Sequence, residues 1–315
     1  MREIVEKIRF ALVGGGMWAQ EAHIPFLINN PSTELIGIVD TEPSRVQGLT
    51  DRFSVPFSAP TLADLLSKTE IDAVVISTPH ASHFEIAHAA LKQGIHVHVD
   101  KPICNKVMDV NALIELAKRA GVVLSTHAQR KYMPGQSRLK WYVENHFGAL
   151  YHISGSLWQP IFADYATSWR ADHKLAAGGI LMDSGYHVID TLFSILGPKS
   201  LASIGRVSMA ASNADKASDA FATLIFAIDQ TVVQVTAFRG TPRTLKKEQY
   251  EVLGDGGYVG LLYTGSGSGK QCQLTFAGFG GTKPDSERLS MVSSYNLHPL
   301  HLFVEQETIA AEAAA

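Results

Sequence analysis

Ile8-Arg9-Phe10-Ala11-Leu12-Val13-Gly14-Gly15-Gly16-Met17-Trp18-Ala19 runs from a short apolar strand through three glycines into a segment that reads as helical to about Asn29. Gly14, Gly16 and Ala19 fall in the order G-x-G-x-x-A, between a strand and a helix. Gly14 permits the tight turn, and Gly16 lets the backbone approach a pyrophosphate. Ala19 allows the helix to lie close to a sheet, while the helix N-terminus favours phosphate charge. A glycine triplet would equally suit a flexible loop, so the reading depends on the residues beyond it.

Beyond Asn29 the chain alternates. The strand Glu34 to Val39 ends in Asp40, 21 residues beyond Ala19, where a dinucleotide fold places the acid for the adenosine ribose hydroxyls. The same Asp40 could instead cap the helix that begins near Pro43. As a cofactor ligand it would repel a 2′-phosphate and favour NAD over NADP, and Arg45 nearby softens that preference. Ile71 to Ser77 is a buried strand broken by Thr78-Pro79. A helix from Ser82 to Lys92 ends at Gly94, a left-handed cap. Ile95 to Val99 is a strand, Asp109 to Ala120 a helix, and Val122 to Ser125 a further strand. Strands alternating with helices predict a doubly wound parallel sheet over a first domain, residues 1–126. Ligands bind such sheets beyond the carboxyl ends of the strands. Gly14, Asp40, Ser77-Thr78-Pro79 and Asp100-Lys101-Pro102 all fall there. A lysine is ordinarily a solvated surface charge. Lys101, held by a proline whose peptide bond is of the kind sometimes found cis, is a candidate for substrate or ribose contact.

After Ser125 the pattern changes. A helix around Ser137 to Glu144 precedes strand-like alternations at Tyr151 to Leu157, Ala202 to Ala210, Ala220 to Ile228 and Thr231 to Phe238. Strands without intervening helices predict an antiparallel sheet, so residues 127–315 read as an α+β second domain. Gly265-Ser266-Gly267-Ser268-Gly269-Lys270 is not a phosphate loop, because Thr264 stands where a glycine would and Gln271 comes after the lysine. A flexible hairpin tip is expected there.

One helical stretch interrupts these strands: Ala177-Gly178-Gly179-Ile180-Leu181-Met182-Asp183-Ser184-Gly185-Tyr186-His187-Val188-Ile189-Asp190. It should sit against the sheet and face the first domain. Four-residue spacing puts the Asp183 carboxylate and the His187 imidazole on one helix face. Histidine titrates near neutral pH and a carboxylate can orient it, so the pair suits acid/base work. The alternative is a helix cap beside a packed histidine. A metal centre from His173, Asp183 and His187 lacks ligand spacing of a known type, and no metal is expected.

Composition narrows the classes. The 315 residues, 46% of them hydrophobic, suffice for two domains with real cores. A net charge of −3 argues against nucleic acid as the partner. Cys104 and Cys272 are too few for a disulfide framework. The start, Met1-Arg2-Glu3-Ile4-Val5-Glu6-Lys7, lacks a signal peptide's apolar core, and no apolar run spans a bilayer. A cytoplasmic protein without membrane partners is expected.

The GGGMWA turn, Thr78-Pro79 with His83, Asp100-Lys101-Pro102, Gln129-Arg130-Lys131-Tyr132, Ser168-Trp169-Arg170 and the segment from Gly178 to Asp190 together resemble the glucose–fructose oxidoreductase/inositol dehydrogenase/MocA (Gfo/Idh/MocA) family over nearly the whole chain. The resemblance implies a Rossmann domain, a second domain on an open, mostly antiparallel sheet, and a nicotinamide cofactor, NAD or alternatively NADP, between them. It implies a homodimer or homotetramer built through the sheet, and a small sugar or polyol as substrate. Carried over residue by residue, it gives Lys101, Asp183 and His187 as catalytic. It puts Gly14, Gly16, Met17, Trp18, Asp40, Ser77, Thr78, Pro79, His83, Asp100, Lys101 and Gln129 around the cofactor. Trp169 and Arg170 join Lys101, Asp183 and His187 around the substrate. Asp190 would cap or buttress the helix.

The implied reaction is hydride transfer between the nicotinamide and a secondary alcohol or ketone of a sugar, cyclic polyol or sugar derivative. Sugar–sugar transfer with a cofactor that never dissociates, and a non-catalytic dinucleotide-binding regulator, are the alternatives. The Lys101, Asp183 and His187 set speaks against the regulator. Two features depart from the family pattern. Asp100 stands where Glu is usual. The family's further helix and strand are expected beyond His301, Leu302 and Phe303, where this chain runs into Ala310-Ala311-Glu312-Ala313-Ala314-Ala315.

Overall fold

Strand β1 (Ile8–Val13) lies inside a six-stranded parallel sheet with β2 (Thr33–Val39), β3 (Phe57–Ala59), β4 (Ala73–Ile76), β5 (His96–Asp100) and β6 (Leu124–His127), in the order β3-β2-β1-β4-β5-β6. The structure is a computed structural model that describes residues 7–160, 167–197, 203–212, 215–265, 270–278 and 285–289. The described chain divides into two units, one through His127 and one from Ala128. In the first, the strands alternate with α1 (Ile24–Asn29), α2 (Pro43–Phe53), α3 (Leu62–Leu66), α4 (His83–Lys92) and α5 (Val107–Ala120). The short β3 and α3 escape a reading by periodicity, because three and five residues are too few to display one.

The period of two along β1 explains why the strand is apolar throughout. Phe10 and Leu12 point into one cluster with Ile24 and Leu27 of α1, while Ala11 and Val13 point into another with Ala87 and Leu91 of α4 and Leu113 and Ala117 of α5. Both faces of the sheet are therefore cores. Strand order reverses between β1 and β4, and Gly14 and Ser77 come directly after the ends of those two strands. At this point the turn admits only glycine: Gly14 has φ +96°, and a Cβ on it would stand 2.3 Å from the Ser77 carbonyl oxygen.

The second unit holds α6 (Gln136–His146), α7 (His173–Ala176), α8 (Tyr186–Leu196) and strands β7 (Leu150–Gln159), β8 (Ser203–Ser212), β9 (Asp215–Ile228), β10 (Thr231–Arg239), β11 (Lys247–Gly254), β12 (Gly257–Thr264), β13 (Gln271–Ala277) and β14 (Asp285–Leu289). They form an eight-stranded sheet, β14-β13-β12-β11-β7-β10-β9-β8. Neighbours are antiparallel except β7 and β10, which run parallel from Val232 beside His152 to Arg239 beside Gln159. A parallel pair needs a long crossover, and here α8 lies in that connection. The glycine-rich stretch after Thr264 joins β12 to β13, which pair Thr264 with Gln271; residues 266–269, like those around His301 and the alanine-rich end, lie outside the described residues. Among the described residues no helix is long and apolar enough to cross a membrane.

One face of this sheet packs on α8. Val188, Leu192 and Ile195, at helical spacing, are buried with Ile153 and Leu157 of β7, Val233 and Val235 of β10, and Leu139 and Val143 of α6. Each such side chain contributes about 1.5–3 kcal/mol by leaving water. The close approach is possible because β7 carries Gly155 beneath the helix. A Cβ there would sit 2.4 Å from Val188 Cγ1 and 3.2 Å from the Tyr250 ring. On the other face Trp158 and Phe221 each meet Phe238 edge-on, and Lys247 lies over Trp158.

Gly155→Ala should destabilise the second unit by about 1–3 kcal/mol, the usual cost of overpacking. The measurement is the urea midpoint; an unchanged midpoint would mean that α8 retreats without cost.

Candidate functional site

The glycine turn of the first unit meets the requirements of a phosphate cradle. Beyond Gly14, the position a Cβ would take on Gly16 has no atom within 4 Å, and Met17 is exposed where the helix begins. The helix opens as a wide π-turn, Ala19–His23, before becoming α1. Its N-terminus therefore faces open space with glycine backbone on one side, which suits a dinucleotide pyrophosphate. Asp40 sits at the end of β2 and is buried. Its Oδ2 accepts from Gly15 N at 2.8 Å, its Oδ1 accepts from Glu42 N at 2.9 Å, and Arg45 Nη1 donates to both oxygens at 3.0 and 3.1 Å. It thus fixes the glycine turn and the approach to α2, with Arg45 beside it.

The other edge residues form a connected set. Asp100 accepts from Ser77 Oγ at 2.6 Å through Oδ2, and its Oδ1 lies 2.9 Å from His23 Nε2. Burial would raise the Asp100 carboxyl, but the His23 ring and the Ser77 hydroxyl outweigh it and hold the group well below the usual carboxylate range. His83 is fully buried with Nδ1 2.8 Å from the Pro102 carbonyl oxygen and Nε2 2.9 Å from that of Thr78, so it pins those two loops together. Lys101 is half-buried at the end of β5, and its bond to Pro102 is cis. Trp18 is half-buried with its ring edge-on to His127.

In the second unit the glycine-rich stretch enters another π-turn, Leu181–Gly185, which runs directly into α8. Asp183 lies in the π-turn and His187 in the first turn of α8, so the four-residue spacing spans a change of helix type. Both are buried. Asp183 Oδ2 accepts from Arg239 Nη2 at 2.5 Å and lies 3.3 Å from Arg170 Nε. Arg170 stacks on Trp169 with its guanidinium 4.4 Å from the ring centroid. Ser184 Oγ accepts from Gln159 Nε2 at 2.6 Å. Asp190 lies 3.7 Å from Lys131 Nζ, and burial raises its carboxyl despite that neighbour. Gln129 keeps its Oε1 buried with no hydrogen-bond partner among the described residues. The side chain of His173 lies outside them.

Arg239 is the residue the sequence reading passed over, and a signal for it was present. Along β10 the inward positions are Thr231, Val233, Val235, Ala237 and Arg239, all buried. A guanidinium at a core position requires a buried acid, and Asp183 is that acid.

Comparison with known proteins agrees with this anatomy. Residues 8–128 match a family model described as an oxidoreductase family with an NAD-binding Rossmann fold, and residues 137–259 match the Gfo/Idh/MocA C-terminal domain. A 1,5-anhydro-D-fructose reductase of Ensifer adhaerens is 26% identical over 190 residues, 60% of this chain and 56% of the relative. A D-glucoside 3-dehydrogenase of Escherichia coli is 24% identical over 192 residues, 60% of this chain and 54% of the relative. The match thus spans about half the length of these curated relatives. A solved 3-ketoreductase from Actinomadura kijaniata, in complex with NADP and TDP-benzene, shares the fold at TM-score 0.83 with 18% identity, covering 95% of this chain and 89% of that one.

Removing one partner from a buried ion pair leaves an uncompensated charge. Arg239→Met should therefore cost on the order of 3 kcal/mol in urea unfolding. Asp183→Asn, which keeps Arg239 with an amide oxygen to donate to, should cost less. Equal stability of Arg239→Met and the parent would mean that Arg170 alone compensates Asp183.

Proposed function

Because the chain belongs to the Gfo/Idh/MocA oxidoreductases, with the NAD-binding Rossmann model over residues 8–128, we propose that it oxidises a secondary alcohol, or reduces the matching ketone, on a sugar, cyclic polyol or sugar derivative. The observation that carries the reading is the Asp183 carboxylate held by Arg239 and Arg170 at the head of the helix that presents His187. The names of the two curated relatives, a reductase of an anhydrofructose and a dehydrogenase of glucosides, support a carbohydrate carbon as the reacting centre.

Gly14, Gly16, Met17, Trp18 and Asp40 would hold the dinucleotide, with its pyrophosphate at the head of the helix and its ribose toward Asp40. Bound there, the nicotinamide supplies the two-electron acceptor or donor for the alcohol–ketone pair. His187, whose Nδ1 is buried, takes the hydroxyl proton through Nε2 as the alcohol is oxidised and returns it in reduction. The Lys101 ammonium lowers the energy of the alkoxide that develops on the substrate oxygen. Asp183, paired with its two arginines, accepts from a neighbouring substrate hydroxyl or orients the imidazole. Arg170, flattened on Trp169, offers the remaining donors of its fork to the substrate. Asp40 favours NAD, and Arg45 at its side leaves NADP a weaker alternative. The ring ladder of Trp158, Phe238 and Phe221 on the sheet face opposite α8 is where a second copy would pack, and a monomer in light scattering at micromolar concentration would remove that assembly.

The test monitors nicotinamide absorbance with inositols, aldoses, glucosides and their keto forms, with NAD and NADP in parallel. Lys101→Ala and His187→Ala should each lower kcat by about 10²–10⁴-fold while the dinucleotide Kd, read by fluorescence, stays nearly unchanged. Full activity in either variant would sink the mechanism.

A further inference from the structure

Outside the residues assigned to chemistry, the first unit buries three histidines against one another. His23 ends the π-turn after the glycines, His98 lies on β5 and His127 ends β6; they are 0%, 0% and 2% exposed. One ring nitrogen from each lies within 4.8 Å of those of the other two. The rings meet edge to face, with centroids 4.8 Å apart for His23 and His127, 5.5 Å for His98 and His127, and 6.0 Å for His23 and His98. From this we propose that His23, His98 and His127 form a binding site for one divalent transition-metal ion of the zinc class, clamping the carboxyl ends of β5 and β6 to the first helix.

The sheet register builds the site. Side chains two apart on a strand share a face, and β5 pairs with β6 so that His98 lies beside Ser125 and Asp100 beside His127. Four polar residues therefore tile one patch of a face that is apolar along β1 and β4, with His23 laid across it. Polar groups are expensive in a core unless each has a partner, and this arrangement supplies the partners that ligating imidazoles use. His98 Nδ1 lies 2.7 Å from Ser125 Oγ. Donating there, it leaves the lone pair of Nε2 directed at His127 Nδ1, 3.3 Å away. Two such nitrogens need a proton or a cation between them. Their separation is close to the ~3.3 Å expected between nitrogens that each sit about 2.0–2.1 Å from a tetrahedral zinc ion. Asp100, 2.9 Å from His23 Nε2, supplies the negative charge that offsets part of a dication's. Imidazole ligands without thiolate suit zinc and its late first-row neighbours, rather than calcium or magnesium.

The test uses the full chain, stripped with a chelator, dialysed against Zn²⁺ and assayed for bound metal. The parent should retain one equivalent per chain; His98→Leu and His127→Leu should lose it. Since the chain has 13 histidines, the comparison with these variants separates this site from adventitious binding. Co²⁺ in place of zinc should give the intense visible bands of a four-coordinate site in the parent alone. Ser125→Ala, a mild change, should keep the fold and weaken Zn²⁺ binding by about 10–100-fold, the usual effect of losing an outer partner of a ligand. Less than half an equivalent in the parent, or equal stoichiometry and affinity in the parent and the folded leucine variants, would overturn the proposal. If the leucine variants do not fold, unchanged affinity in Ser125→Ala overturns it and the weakening upholds it.

Discussion

Asp183 is a carboxylate withdrawn from water, and that withdrawal is possible only because Arg239 is withdrawn with it. Their contact ties the head of α8 to the last residue of β10, and Arg170 adds a second cation from the segment before α7. A buried ion pair contributes little net stability, but it fixes geometry, since either charge alone would be costly. The helix that presents His187 is thus anchored at its head by charge and along its length by apolar packing over Gly155.

The first unit obeys the same constraint with different chemistry. Asp100 is compensated by His23 and Ser77, and Asp40 by Arg45 and two backbone amides. Each of these carboxylates lies just beyond or at the end of a parallel strand. The ends of the strands therefore carry a row of oriented negative groups beside the glycine turn, and the helix that starts there offers the opposite sign. Both π-turns of the described chain fall in these charged segments, and each carries one of the groups in question, His23 or Asp183. A wider turn of this kind moves side chains off the ordinary helical face and is frequent at functional sites.

Much of this was legible in the chain itself. The alternation of apolar strands with helices, the G-x-G-x-x-A order and Asp40 at its distance beyond are local patterns, and the parallel sheet with its strand-end residues derives from them. In the second half β7, β8, β9 and β10 were legible for the same reason, as was α8 from its helical spacing, whereas β11, β12, β13 and β14 went unread. Short elements such as β3 and α3 were not, because they carry too few residues to show a period. The parallel pairing of β7 with β10 was also out of reach, since nothing local records which strand a returning chain will join.

The sequence by itself determined which residues lie at strand ends, which faces are apolar and where helices begin, because these depend on neighbours a few positions apart. Only the tertiary structure decided the partners of the buried charges. Asp183 and Arg239 are 56 residues apart, His23 and Asp100 77, and nothing but the packing of β10 under α8, or of the first helix over β5, brings them together. The histidine cluster is of the same kind. His98 and Asp100, Ser125 and His127 each announce a polar face on their own strand, but the register between β5 and β6 is what makes one site of them. Charge compensation acts through space at a few ångströms, whereas periodicity acts along the chain, and the boundary between what was readable and what was not tracks that difference.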